Sequence, residues 1–356
     1  QAGQILLQRK QGGFEAVLDS AFIKDRLSED VDAAFFDADG DARLDLYVVS
    51  GGNEFFGDAE ALRDRLYLST GNGRFRKAEG MLPEVYANGA CVKPNDVDRD
   101  GDIDLFVGSR SVPWQYGITP QSYLLVNDGR GRFVDEAATR APSLVQVGMV
   151  TEAVWVDLNK DDSEELVVVG EWMPITIFEN ENGKLNEATQ KFGLHSTHGW
   201  WNTIAAADFN SDGFIDLVAG NLGLNSMLKA SREEPVQMFI YDFSGDQRPD
   251  QILTYMHDKK VYPFASTEQM LGNIPPLQKR FKKIADYAGK TVQEIFPPEQ
   301  LQAATLRTAT EFASVVLINN GNNLFRVAPL PIEAQFAPIH AILCEDFNRD
   351  GKQDLL

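Results

Sequence analysis

The chain has 356 residues, enough for one large all-β assembly or two ordinary domains. Its 43% hydrophobic and 24% charged residues are those of a folded globular protein, and it contains no apolar run long enough to span a bilayer, which argues against a membrane-spanning chain. With 33 basic against 53 acidic residues the formal net charge is −20, which repels phosphate backbones and anionic lipid and makes nucleic acid a poor partner.

Gln4 to Phe14 reads as two short outer strands with no acidic loop before them, opening a sequence that starts at Gln1 without a leader and so reads as a mature or trimmed form. From there one unit recurs six times: an apolar stretch, an acidic loop and a second apolar stretch. The loops place oxygen-bearing side chains at positions 1, 3, 5 and 9. They are Asp37, Asp39, Asp41 and Asp45; Asp96, Asp98, Asp100 and Asp104; Asp157, Asn159, Asp161 and Glu165; Asp208, Asn210, Asp212 and Asp216; Asp242, Ser244, Asp246 and Asp250; and Asp346, Asn348, Asp350 and Asp354. The stretches that follow, such as Leu46–Ser50, Leu105–Gly108 and Leu217–Gly220, are too short for helices and read as buried strands. Asn-Gly and Asp-Gly turns near Asn72, Asp128 and Asn320 then join two outer strands, the second opening on Phe75, Phe133 or Phe325. Four strands per repeat predict an all-β fold, a β-propeller of six or seven blades over residues 1–356, closed by strands from both termini.

Two irregularities interrupt the period. Only 34 residues separate the first Asp of the fourth and fifth loops, so that blade is expected to be truncated or rearranged. Between the fifth and sixth, residues 266–312 carry helix signals: Leu277, Phe281, Ile284 and Ala285 at helical spacing among Lys279, Arg280, Lys282 and Lys283, with Pro275-Pro276 and Pro297-Pro298 opening short helices. This predicts a helical insertion within a blade, whose basic face is a docking surface or merely a solvated one. Cys91 and Cys344 sit in apolar stretches and read as core thiols.

Alternating oxygen ligands, a backbone carbonyl at position 7 and a carboxylate at position 9 suit a hard cation, and Gly101, Gly213 and Gly351 at position 6 allow the turn around it. The six loops hold 20 carboxylates at these positions, whose repulsion opposes folding without a counter-ion. The expected cofactor is therefore calcium, several ions per chain. Ala42, Asp162 and Gln247 replace Gly at position 6 and mark weaker loops.

These loops, typified by Asp208-Phe-Asn-Ser-Asp-Gly-Phe-Ile-Asp-Leu-Val-Ala-Gly220, resemble the FG-GAP or VCBS repeats of integrin α-subunits and secreted bacterial proteins. Gly170-Glu-Trp-Met-Pro174, Gly199-Trp-Trp-Asn202 and Gly220-Asn-Leu-Gly-Leu-Asn-Ser226 resemble exported Bacteroidetes proteins of the ASPIC/UnbV type. The resemblance implies a propeller, calcium and a place outside the cytoplasm, secreted or associated with the outer membrane.

No zinc-type His motif, nucleophile elbow, P-loop or dinucleotide fingerprint accompanies His195, His198, His257 and His340, so no catalytic residues are assigned. The function expected is a noncatalytic module that binds a protein partner of the cell envelope or a glycan; the alternative is a polysaccharide-active lyase or hydrolase on the same scaffold. Trp172, Trp200, Trp201, Asn202, Asn221 and Asn225 are the candidate ligand contacts, combining flat apolar faces with amides, although Trp in such repeats also packs between blades. Asn53, Glu54, Phe55, Phe56, Trp114 and Tyr116 form a second aromatic loop set.

Overall fold

A computed structural model describes residues 3–17 and 19–356. The chain is all-β, built mainly of four-stranded antiparallel sheets that follow one another as the blades of a β-propeller do. Contacts divide it into two compact units: Gln1–Trp114 with Thr119–Val168 and Ile177–Ala188, and Gln115–Ile118 with Val169–Thr176 and Thr189–Leu356.

In the first unit one sheet runs Glu29–Phe36, Asp45–Gly51, Arg65–Gly71, Arg74–Lys77, and the next Asn88–Asn95, Asp104–Ser111, Tyr123–Asn127, Phe133–Asp135. The second strand of the first sheet is buried at every residue because both of its faces are covered. Tyr47 and Val49 join Leu66, Leu68, Val92, Leu105, Val107 and Phe133 in a core shared by both sheets, while Leu46 and Val48 pack with Phe22 and Tyr67 on the opposite face. A strand buried on two sides reads as a continuous apolar run, which is why these stretches lack polar alternation.

A third four-strand path takes Met149–Val156, Glu165–Met173, Thr176–Glu181 and Lys184–Glu187, with Asn182 and Gly183 at positive φ in the last turn. In the second unit, Gly199–Trp200 pairs beside Glu171 and Met173.

The crowded spacing after the fourth loop resolves into a nested blade. Thr203–Ala207 pairs with Asp216–Gly220, but the neighbour of Asp216–Gly220 is Val315–Asn319, with Leu217 opposite Leu317, followed by Phe325–Pro329. The intervening residues 221–314 form their own sheet in the order Lys260–Pro263, Asp250–His257, Val236–Tyr241, Thr305–Ala309. The fourth blade is thus rearranged, with its outer strands displaced in sequence. A buried polar knot pins the neck of the insertion. Asn221 N–H donates to Ser314 Oγ at 3.0 Å, its side-chain amide to the Ala313 and Glu311 carbonyls, and the Gln335 amide exchanges two 2.9 Å bonds with the Ser314 backbone. Asn221, Ser314 and Gln335 are all buried, so each bond replaces one to water that folding removed.

Within the insertion, helices span Thr267–Asn273, Pro275–Arg280, Ile284–Tyr287, Val292–Ile295 and Pro298–Ala303. Ser266 caps the first through a reciprocal bond with Gln269, and Pro275 and Pro298 open two others. Two expectations need correction. The helical stretch ends at Ala303, since Thr305–Ala309 is a strand paired with Val236–Ile240. Nor do Leu277, Phe281 and Ile284 line one helix face: the chain turns after Arg280, Tyr287 packs edge-on against Phe281 at 5.6 Å, and Ile284 is left 73% exposed. Leu277 and Phe281 do enter a core with Phe239, Ile252, Met270, Val292 and Ile295.

The ends form two-stranded sheets, Ile5–Gln8 with Phe14–Val17 and Cys344–Glu345 with Asp354–Leu355. Cys91 is buried, and burial pushes its thiol up; Cys344 is half-buried.

The basic helical residues are not equivalent. Arg280 donates from Nη1 to the Ile295 carbonyl at 2.7 Å and from Nη2 to the Glu294 carbonyl at 2.8 Å, and lies 5.1 Å from the Phe281 ring centre. Arg280→Ala is expected to cost about 1–2 kcal/mol in urea unfolding, because two carbonyl bonds go at once, while Lys279→Ala stays within about 0.5 kcal/mol.

Candidate metal centres

All six acidic loops share one backbone. Position 4 is left-handed in each, at Gly40, Arg99, Lys160, Ser211, Gly245 and Arg349, and so is position 6, at Ala42, Gly101, Asp162, Gly213, Gln247 and Gly351. The loops without Gly at position 6 therefore adopt the same turn at a local conformational cost of roughly 1 kcal/mol or more. What holds them is the first carboxylate. Asp37 accepts N–H bonds from Gly40, Asp41 and Ala42, Asp96 from Asp100 and Gly101, Asp208 from Asp212 and Gly213, and Asp242 from Gly245, Asp246 and Gln247. Asp157 and Asp346 do the same in the third and sixth loops.

The ninth position ties the loop to its sheet. Asp45 accepts from Ala38 N–H in the loop and from Ser69 N–H on the third strand; Asp104 does so from Val97 and Asn127, and Asp216 from Phe209 and Asn319. Asp45, Asp104, Glu165 and Asp216 are almost wholly buried. Burial, reinforced by neighbouring loop carboxylates, raises Asp45 and Asp216, and holds Asp104 up to about 6 and Glu165 up to about 7.

Asp37, Asp39 and Asp45 can bring one oxygen each to within 4.8 Å of one another, as can Asp96, Asp98 and Asp104. In both triads the third-position carboxylate keeps a buried oxygen, Asp39 Oδ1 and Asp98 Oδ1, with no hydrogen-bond partner. The other Asp98 oxygen pairs with Arg140 at 2.9 Å. An orphaned buried carboxylate oxygen amid two more carboxylates can hold a hard cation, and the all-oxygen donor set fits calcium. The ion would be held by Asp37, Asp39, Asp41 and Asp45 in the first loop and by Asp96, Asp98, Asp100 and Asp104 in the second, neutralising charge the fold has gathered. The remaining loops satisfy themselves further: Asn159 Nδ2 donates to Glu165, Asn210 Nδ2 to Asp212 and Asn348 Nδ2 to Asp350. Ser244, the position-3 residue of the fifth loop beside Asp246, donates its backbone N–H to Asp250. Asp161 accepts the Ser163 N–H, Asp354 that of Phe347, and Asp350 that of Lys352.

Residues outside the loop pattern complete these centres. Asn127 Nδ2 donates to the Ala38 and Ile103 carbonyls, Asn180 Nδ2 to Val97, and Asn319 Nδ2 to Ile215. The legible signal was the Asn preceding the turn in Asn127-Asp-Gly and Asn319-Asn-Gly.

The indole cluster is not an exposed platform. Trp201 is fully buried and donates from Nε1 to the Thr197 carbonyl at 2.9 Å; Trp172 is 4% exposed and meets half-buried Trp200 edge-on at 4.8 Å, which in turn packs on Phe312. Asn221 is the buried neck residue, Asn202 is half-buried and ties its N–H to the Gly220 carbonyl, and exposed Asn225 donates to the Phe336 carbonyl. Their large apolar area is consumed in packing. Of the second aromatic set, Phe56 and Trp114 are exposed, with ring centres 6.4 Å apart.

Residues 37–107 and 157–219 match the sequence profile of the FG-GAP-like repeat. The chain therefore carries FG-GAP-like repeats, in the two segments that hold its first four acidic loops. It is similar to cartilage acidic protein 1 of Xenopus tropicalis, 26% identical over 236 residues, which is 61% of this chain and 34% of that protein. The chain thus spans about a third of the length of this relative. A structural comparison with the V. cholerae biofilm matrix protein Bap1 covers 100% of this chain and 80% of that one, at 11% identity and a TM-score of 0.31.

Two outcomes follow for the loops. Protons on Asp104 and Glu165 are bound more tightly in the folded, metal-free protein than in the unfolded chain, so the stability they contribute is complete below pH about 4 and is lost as pH rises through about 6 and 7. The melting temperature in EDTA should accordingly fall between acidic and neutral pH, whereas saturating Ca²⁺ should raise it most at neutral pH, by the equivalent of about 2.7 kcal/mol per site at a hundredfold excess over Kd. Calorimetry across that range checks both. Ala42→Gly and Gln247→Gly should each stabilise the protein by up to about 1 kcal/mol in chemical denaturation, since each residue stands at positive φ.

Proposed function

We propose that this chain is a noncatalytic binding module acting outside the cytoplasm, in the envelope or surroundings of a Gram-negative, Bacteroidetes-like bacterium. In this reading calcium stiffens the repeat scaffold and loops at the blade ends hold a protein partner or a glycan. The observation that carries it is the pair of aspartate triads, each with an orphaned buried oxygen, within FG-GAP-like repeats. A hard-cation site of that kind needs a medium rich in calcium, where such modules bind it at about 10⁻⁴–10⁻³ M. Among the described residues no helix is long and apolar enough to cross a membrane. The reading also takes the whole chain as one propeller closed by its two terminal hairpins, in which limited proteolysis would nick the helical insertion and leave the blades associated.

The experiment is affinity capture from native envelope extract with and without Ca²⁺, using the wild type and a variant in which Asp37, Asp39, Asp96 and Asp98 are all Asn. A partner retained in calcium and lost in EDTA and in the variant is the expected result. Equal capture under all conditions, or no partner, sinks the reading; release of new sugar ends from envelope polysaccharide would replace it with an enzyme.

A further inference from the structure

The nested blade makes a cavity of about 580 Å³ between the strand Asp250–His257 and the first helix of the insertion, Thr267–Asn273. This lies within the range of small-ligand sites, about 300–1,000 Å³. Its floor is apolar: Ile252, Met270 and Ile274, all buried in the insertion core. Phe264, 38% exposed, brings an aromatic ring to the wall. Its polar side chains are the amides of Gln269 and Asn273 and the carboxylate of Asp250, while Gln251, next to the floor residue Ile252 on the strand, turns to the other face of the sheet. There Gln251 donates from Nε2 to the Tyr116 and Pro249 carbonyls. Gln269 accepts the Ser266 N–H through Oε1, which leaves its amide NH₂ as donor. Asp250 is fixed by the 2.7 Å bond from Ser244 N–H.

We infer that this cavity binds a neutral oligosaccharide, taking one or two sugar rings of a longer chain. This rests on the binding-module reading and specifies its ligand. Amides present a donor and an acceptor side by side, as vicinal hydroxyls require, and an aromatic wall offers a flat apolar surface to the C–H face of a pyranose ring. Charge excludes acidic polymers. No Lys or Arg lines the cavity, and its one ionisable group is an aspartate on a chain of −20, so a uronate or sulfated polymer is repelled. Lys260–Pro263 pairs only with Thr254–His257, so along Asp250–Leu253 that edge is closed just by the bond from Phe264 N–H to the Leu253 carbonyl, and a peptide added there as a strand is the competing occupant, the one that failure of all three neutral hexasaccharides would favour. On this account the helical insertion serves to roof a ligand site, more than to present its basic face.

The test is isothermal titration of the calcium-loaded chain with cellohexaose, mannohexaose and laminarihexaose, with a hexagalacturonate as charged control. Asn273→Ala alters an exposed helix-end amide, and Phe264→Leu keeps a packed side chain while removing the ring, so both should melt with the wild type. Expected are saturable binding of at least one neutral hexasaccharide and a loss of about tenfold or more in each variant, equivalent to about 1.4 kcal/mol. The inference is overturned if none of the three binds at millimolar concentration, if hexagalacturonate binds more tightly, or if both folded variants bind as the wild type does. Should Phe264→Leu melt early, Asn273→Ala alone decides by the same criterion. Each overturning result leaves the binding-module reading standing, because that reading falls only with the envelope capture.

Discussion

The structure depends on a conflict of charge. Between first and second strands the chain turns around a cluster of carboxylates, and in four of the six loops the ninth residue, Asp45, Asp104, Glu165 or Asp216, is carried into the protein interior. A buried carboxylate survives only where donors or a cation replace its water. For Asp45, Asp104 and Asp216 the donors are backbone N–H groups from two sources, the loop itself and the third strand, so the same atoms that make the loop tight also set the register of the sheet, while Glu165 accepts from Leu158 N–H and the Asn159 amide. The raised pKa values of Asp104 and Glu165 measure what those donors leave uncompensated.

The compensation is graded along the chain. In the first two loops, position 3 is Asp and keeps an oxygen without a partner; in the third, fourth and sixth it is Asn, and its amide donates to a loop carboxylate. A single change from carboxylate to amide turns an electrostatic deficit into an internal hydrogen bond. The first two loops are therefore the ones in which a cation would compensate most, while the others complete themselves with internal hydrogen bonds.

The nested blade shows how a repeat tolerates a large insertion. A sheet inserted between two paired strands is harmless if the chain leaves and returns at adjacent points, and here Asn221 and Ser314 touch. The cost is a set of buried polar groups at the neck, which Asn221, Ser314 and Gln335 satisfy among themselves. The insertion then carries its own core and its own cavity.

The acidic loops, the four-stranded repeat and the three outer-strand hairpins were legible from the sequence because each is encoded locally: ligand spacing within nine residues, strands by apolar runs, turns by Asn-Gly and Asp-Gly. Even the irregular spacing after Asp208 and the proline-opened helices could be read, since both are questions of counting and of single-residue constraints. Which strands pair could not, because Leu217 meets Leu317 across a hundred residues and nothing near either announces the other. The indoles show the same limit. Trp172, Trp200 and Trp201 have the composition of a binding surface, and only packing against Phe312 and the Thr197 carbonyl reveals that their area is spent inside. Conversely Phe264, Gln269 and Asn273 carry no motif, and become a candidate site solely because a helix and a strand enclose a space between them. Local chemistry decides what a segment can form; burial, which decides what its side chains are free to do, belongs to the whole chain.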